Sequence, residues 1–244
     1  LIANFGSFRT FVRSVKSTGL DIPNKKFEYD AIGSTYKTKH HYYFLEGKLA
    51  LLDTANEWFY DQSTKSLYVW SPIGDGSDLE SAVIRGKNQS FAFNFNSCSN
   101  VTLEGCKFFA TTVTIQNSTN VTIKDNVFSF PNYSKRMLGD KIAPFVTNID
   151  QNLTNGSLPS SGSSSFCTFS GNVFEYSDGE ALILAGNNHV ITNNYFHHID
   201  WSCAGTQSLG LSIFCTGTDL TFDHNIMHTL GASATLNLGA RAKV

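Results

Sequence analysis

Charge is scarce in this chain. Asp, Glu, Lys and Arg make up 16% of its 244 residues, and 18 basic against 20 acidic side chains leave a net charge of −2. No basic stripe offsets that balance, and the few cations between Lys135 and Lys141 do not form one, which speaks against a nucleic-acid partner. Long apolar runs are missing too, so no membrane span is expected. Proline is down to 5 residues, as suits a lean, strand-rich chain. Five cysteines (Cys98, Cys106, Cys167, Cys203, Cys215) show no metal-binding spacing. Two readings of them stand: Cys203 and Cys215 bridge an inserted loop, or most are small apolar groups in a core. A glycine-rich phosphate loop and a nucleophile elbow are both absent. The His224…His228 pair has helix spacing but lies on an expected strand, without the glutamate of a metalloprotease helix.

What the chain has instead is an eight-residue phrase that returns five times. The copies run 101–108, 121–128, 167–174, 189–196 and 220–227. Asn126, Asn172, Asn194 and Asn225 hold the sixth place of four copies, and Cys106 holds it in the first. Steps of 20, 46, 22 and 31 residues between these positions read as one or two units of about 20–23 residues each, with loops inserted. Apolar and polar residues alternate ahead of the Asn, which is the period of a strand. A second short strand is expected before each copy, at Phe91–Phe95, Val113–Ile115, Ala181–Leu184, Leu211–Phe214 and Ala234–Leu238. Asn, Ser and Gly separate the strands, the residues that tolerate tight and left-handed turns.

A fixed period of this size means stacked units that bury one another's apolar faces. The expected fold is all-β, a right-handed parallel β-helix. Its Asn side chains form a ladder at one corner, and Phe108, Phe128, Phe174, Phe196 and Met227 form an apolar column. Residues 1–90 read as a β-rich segment with an aromatic hairpin near 57–70. Residues 91–244 read as the coils, with a polar insertion at 129–165. The run from Ala234 to Val244 reads as the opening of a further coil, so the stack is expected to continue or to meet a neighbour there.

The hairpin carries a resemblance. Glu57-Trp58-Phe59-Tyr60-Asp61 followed by Leu67-Tyr68-Val69-Trp70 resembles the E-W-x-x-D … L-Y-x-W hairpin ahead of the coils in secreted right-handed parallel β-helix proteins of the pectate-lyase-like superfamily. The stretches 177–184 and 193–202 are similar to coils of the same group. That resemblance implies an extracellular protein. Many members are glycoside hydrolases or polysaccharide lyases working along one face of the helix. Others are surface proteins with no chemistry, and fold alone does not choose between them.

Counting from the Asn register nominates the chemistry. Three places on stand Glu175, His197 and His228; six places on stand Asp178 and Asp200. Stacked in register, the first three make one column, and Asp178 and Asp200 lie about one strand spacing of 4.8 Å apart. Two carboxyl groups that close do not both ionise freely, which is the arrangement of an acid beside a base or nucleophile. The plainer reading is that Ser177-Asp178-Gly179 is turn chemistry and the histidines a polar outer face. Trp201 and Tyr195 offer stacking surfaces for sugars. No cofactor is expected; Asp178, Glu180, Asp200 and Asp223 are oxygen donors of the kind calcium takes, but without a compact loop. Seven sequons stand at Asn88, Asn100, Asn117, Asn120, Asn132, Asn152 and Asn155. Two functions follow as expectations: a polysaccharide-active enzyme, or a non-catalytic adhesive glycoprotein that self-associates through the open end of its stack.

Overall fold

The structure is a computed structural model that describes residues 2–6, 9–13, 15–21, 24, 26–29, 42–45, 47–132, 146–153, 161–199, 212–230 and 236–244. The chain divides into two compact units, one built mainly from residues 12–86 and one mainly from 87–244. In the first, Ile2–Gly6 pairs antiparallel with Tyr42–Leu45, and Val15–Asp21 with Lys26–Tyr29. The aromatic hairpin is there: Trp58–Asp61 pairs antiparallel with Ser66–Val69. Its turn is tied by the Asp61 carboxylate, which accepts from the Ser63 amide at 2.9 Å and the Ser63 hydroxyl at 2.7 Å. These bonds hold the Asp61 carboxyl below the usual range, and Lys65 closes the turn in the left-handed region at φ 58°.

The second unit is a parallel β-helix with three sheets. Each coil contributes one strand to each sheet in the same order. The first coil is Phe91–Asn96, Ser99–Glu104 and Lys107–Phe109; the second is Thr112–Gln116, Thr119–Lys124 and Val127–Ser129. The third is Thr147–Ile149, Thr168–Ser170 and Val173–Ser177; the fourth is Leu182–Leu184, Val190–Thr192 and Tyr195–Ile199. The fifth is Ile213–Cys215, Thr221–Asp223 and Ile226–Leu230. A sixth opens with Leu236–Asn237 on the first sheet, and Lys243 bridges to Thr221 on the second. All of these neighbours are parallel.

The sequence repeat therefore is the coil. Its apolar places face inward, and the third-sheet rings stack face to face. Phe108–Phe128, Phe128–Phe174 and Phe174–Phe196 have centroids 4.9, 4.9 and 5.0 Å apart, with planes within 11°. The last three of these rings are fully buried, each worth about 1.5–3 kcal/mol of transfer free energy. At the corner before the third sheet, the Asn ladder forms. The Asn172 carbonyl accepts from the Asn126 amide at 3.0 Å, the Asn194 carbonyl from the Asn172 amide at 3.0 Å, and the Asn225 carbonyl from the Asn194 amide at 2.9 Å. Each side-chain NH2 donates back to a backbone carbonyl of the coil before, Leu103, Ile123, Phe169 and Ile191 in turn.

The step from Asn126 to Asn172 is a single coil, because those two side chains bond directly at 3.1 Å. The segment 129–165, read from sequence as a polar insertion, carries Thr147–Ile149, a fully buried first-sheet strand that pairs with the coils on both sides. The disulfide reading is corrected. Cys215 is a free thiol, 2% exposed in the core, so it is not bridged to Cys203, which itself lies outside the described residues. Cys98, Cys106 and Cys167 are free as well. Burial pushes the Cys167 thiol up to about 11, which makes it inert at neutral pH. No helix among the described residues is long and apolar enough to cross a membrane.

Candidate functional site

The outer face of the third sheet, and the turn that follows it, gather the reactive side chains. Because a strand alternates its faces, the residues beside the buried Phe column point outward. Ser129, Glu175, His197 and His228 are paired neighbours in successive coils. This is the column counted from the Asn register. Its members touch: the Ser129 hydroxyl donates to Glu175 Oε1 at 2.5 Å, and His197 Nε2 lies 3.1 Å from Glu175 Oε2. The Glu175 side chain is 23% exposed and that of His197 12%, so the pair sits at a half-dry surface. His228 Nδ1 is engaged with the Thr229 hydroxyl at 2.8 Å.

Asp178 follows directly after the third-sheet strand of its coil, whose Ser177 pairs with Ile199. Asp200 and Trp201 lie outside the described residues, so the expected carboxylate pair has only its Asp178 half on view. Among the described residues, no group of three or more His, Cys, Asp or Glu side chains is placed to hold a metal ion.

One place beyond the Glu175 column the structure shows what sequence counting passed over. Ala110 and Phe130, directly after their third-sheet strands, and Tyr176, His198 and Thr229, next to last in theirs, are in the left-handed region, at φ 55°, 53°, 56°, 54° and 52°. That conformation disfavours any residue with a side chain, by an amount on the order of 1–3 kcal/mol. The stack imposes it on every coil. Large rings at this place stand on the surface: Phe130 is 47% exposed and Tyr176 43%, with Phe109 beside them at 44%. Phe109 to Phe130 is 5.5 Å between centroids, Phe130 to Tyr176 5.2 Å, and Tyr176 to His198 5.0 Å. Tyr195 packs against His197 at 4.7 Å on the same strand. The signal was present in the sequence, four residues after each Asn, but a residue in that place reads as turn rather than site.

Lys87 anchors one end of this ring column. Its ammonium donates to the carbonyls of Ala110 at 2.9 Å and Pro131 at 3.0 Å, and burial brings its pKa down to about 8.

Two buried titratable groups belong to the stack rather than to this face. His189, 1% exposed, takes the first place of the fourth repeat; its Nδ1 accepts from the Cys167 amide at 3.1 Å and its Nε2 lies 2.8 Å from the Ala185 carbonyl. Burial lowers its pKa and keeps it neutral. Glu180, also 1% exposed, finds no hydrogen-bond partner for either carboxyl oxygen among the described residues, and burial raises its pKa.

Of the sequon asparagines, Asn88, Asn100, Asn117, Asn120 and Asn152 are exposed, Asn132 is buried at 3%, and Asn155 lies outside the described residues. Asn100 and Asn120 stand one above the other, joined at 2.6 Å.

Comparison with protein-family models, with curated proteins and with solved structures finds no match to this chain.

Proposed function

We propose that this chain is an extracellular, carbohydrate-active parallel β-helix of the glycoside hydrolase or polysaccharide lyase kind. The observation that carries the reading is the exposed ring column Phe109–Phe130–Tyr176 lying beside the Glu175–His197 pair. Sugar rings present C–H faces that stack on aromatic side chains, and a column rising by about 4.8 Å per coil offers one ring per coil to an extended polymer. The adjoining carboxylate and imidazole are the side-chain types that move protons at a glycosidic bond. The hairpin's resemblance to secreted pectate-lyase-like proteins points the same way.

Affinity electrophoresis through gels containing neutral or acidic polysaccharides tests the proposal. Retardation by at least one polymer is expected, and Tyr176→Ala and Phe130→Ala should each weaken it. Retardation unchanged in both variants would remove the ring column from binding. Release of reducing ends, or of an unsaturated product seen by ultraviolet absorbance, then separates hydrolase from lyase. The competing reading, an adhesive glycoprotein assembling end to end, rests on the exposed sequons; filaments in electron micrographs without polysaccharide retardation would favour it.

A further inference from the structure

The face contains two adjacent histidines, His197 and His198, whose Nδ1 atoms lie 2.9 Å apart. We propose that His198 is the general base of the site, held with a bare Nε2 by a hydrogen-bonded relay that runs from Glu175 through His197. The proposal rests on the polysaccharide-active reading for its substrate, but the relay stands on geometry alone.

Donor and acceptor inventory fixes each proton. An ionised carboxylate only accepts. Glu175 Oε1 takes the Ser129 hydroxyl proton, so Oε2 is left facing His197 Nε2 at 3.1 Å, and that nitrogen must carry hydrogen. Neutral His197 then has a bare Nδ1. It lies 2.9 Å from His198 Nδ1, a distance that needs one proton between the two nitrogens, and only His198 is left to supply it. A neutral His198 with hydrogen on Nδ1 has its lone pair on Nε2. No described residue donates to that nitrogen. The partner of one ring nitrogen thus sets the state of the other, as carboxylate–histidine pairs do at metal sites.

The surroundings suit the role. His198 is held by the left-handed turn at φ 54°, with the Tyr176 ring tilted over it at 5.0 Å and His228 at 6.4 Å. Among the described residues, the ionisable groups packed against it or against His197 are Glu175, Tyr176, Tyr195 and His228, and Glu175 is the one carboxylate. A proton taken up at Nε2 therefore yields an imidazolium stabilised through His197 by a carboxylate. In the proposed step, a water or sugar hydroxyl bound over Tyr176 gives its proton to Nε2. The O–H bond breaks, the N–H bond forms, and the electron pair stays on the oxygen, which becomes the attacking group. Glu175 and His197 are positioning residues.

Long-range nitrogen-15 NMR of the imidazoles reads the relay in the whole chain, with no polysaccharide added. The wild type should show His198 with hydrogen on Nδ1. In Glu175→Gln the amide oxygen keeps Ser129, so the NH2 faces His197 Nε2. His197 must then carry its hydrogen on Nδ1, and His198 must move its own to Nε2. His197→Phe removes the acceptor altogether and should give the same His198 tautomer. Carbethoxylation of His198 by diethyl pyrocarbonate, followed by mass spectrometry, should slow several-fold in both variants. Wild-type His198 with hydrogen on Nε2, or a tautomer and rate unchanged in both variants, would overturn the relay. Because no ligand is present, that failure is distinct from failure of the ring column to bind polysaccharide.

Discussion

Replacing Asn172 by Ala tests the physics that sets the register of the coils. The Asn172 side chain makes four hydrogen bonds: its carbonyl accepts from the Asn126 amide and the Asn126 NH2, and its NH2 donates to the Ile123 carbonyl and the Asn194 carbonyl. Two of those partners keep other bonds after truncation, since the Asn126 NH2 still reaches the Leu103 carbonyl and the Asn194 carbonyl still takes the Asn172 amide. Of the other two, the Ile123 carbonyl lies within a strand laddered on both sides, whereas the amide of fully buried Asn126 has the Asn172 carbonyl as its acceptor. At about 1–3 kcal/mol for the unsatisfied buried amide and about 0.5–1.5 kcal/mol for the lost bond to Ile123, the variant should lose about 1.5–4.5 kcal/mol. Asn225→Ala is the comparison: it also strands the amide of buried Asn194, but Asn225 itself is only partly buried, so truncation should open that amide to water. It should cost about 1 kcal/mol, the net worth of an ordinary bond. Urea unfolding followed by circular dichroism measures both. Near-neighbour coupling in a stack makes the central variant broaden as well as shift the transition. A loss at Asn172 below about 1 kcal/mol, or equal losses at the two positions, would refute the argument that burial of the ladder is what makes it stabilising.

Phe174→Ala should cost about 3–5 kcal/mol by denaturant titration, whereas exposed Phe130→Ala should change stability by no more than about 0.5 kcal/mol. His189 has a lowered pKa in the fold, so the unfolded chain binds its proton first. Its contribution is complete above about 6.5 and is lost as pH falls toward its folded value, and His189→Gln should flatten that part of a stability–pH curve. Glu180 has the opposite sign: its raised pKa favours the fold at low pH and penalises it as pH rises. Glu180→Gln should therefore raise the melting temperature at neutral pH, with a smaller gain in acid. Folded protein from a glycosylating host should carry no glycan at Asn132, whose side chain is 3% exposed. Glycopeptide mass spectrometry checks this against exposed Asn100 and Asn117.

The sequence by itself determined the coil. Its Asn period survives insertion of loops because a side-chain amide can satisfy an amide and a carbonyl one coil away only when the strands are in register. The same count brought Glu175, His197 and His228 into one column, since position in a parallel stack is arithmetic once the register is fixed. Tertiary structure alone decided the rest. Thr147–Ile149 is too short and too polar to announce itself, and becomes a strand because the coils on either side supply its hydrogen bonds. Cys215 looks like half of a bridge in the sequence and is a core methyl's equivalent in the fold. The rings of Phe130 and Tyr176, and the contact between His197 and His198, depend on a left-handed residue near the end of each third-sheet strand. No local propensity favours a bulky side chain there. The stacked coils impose that backbone, and the backbone turns those side chains out to the surface.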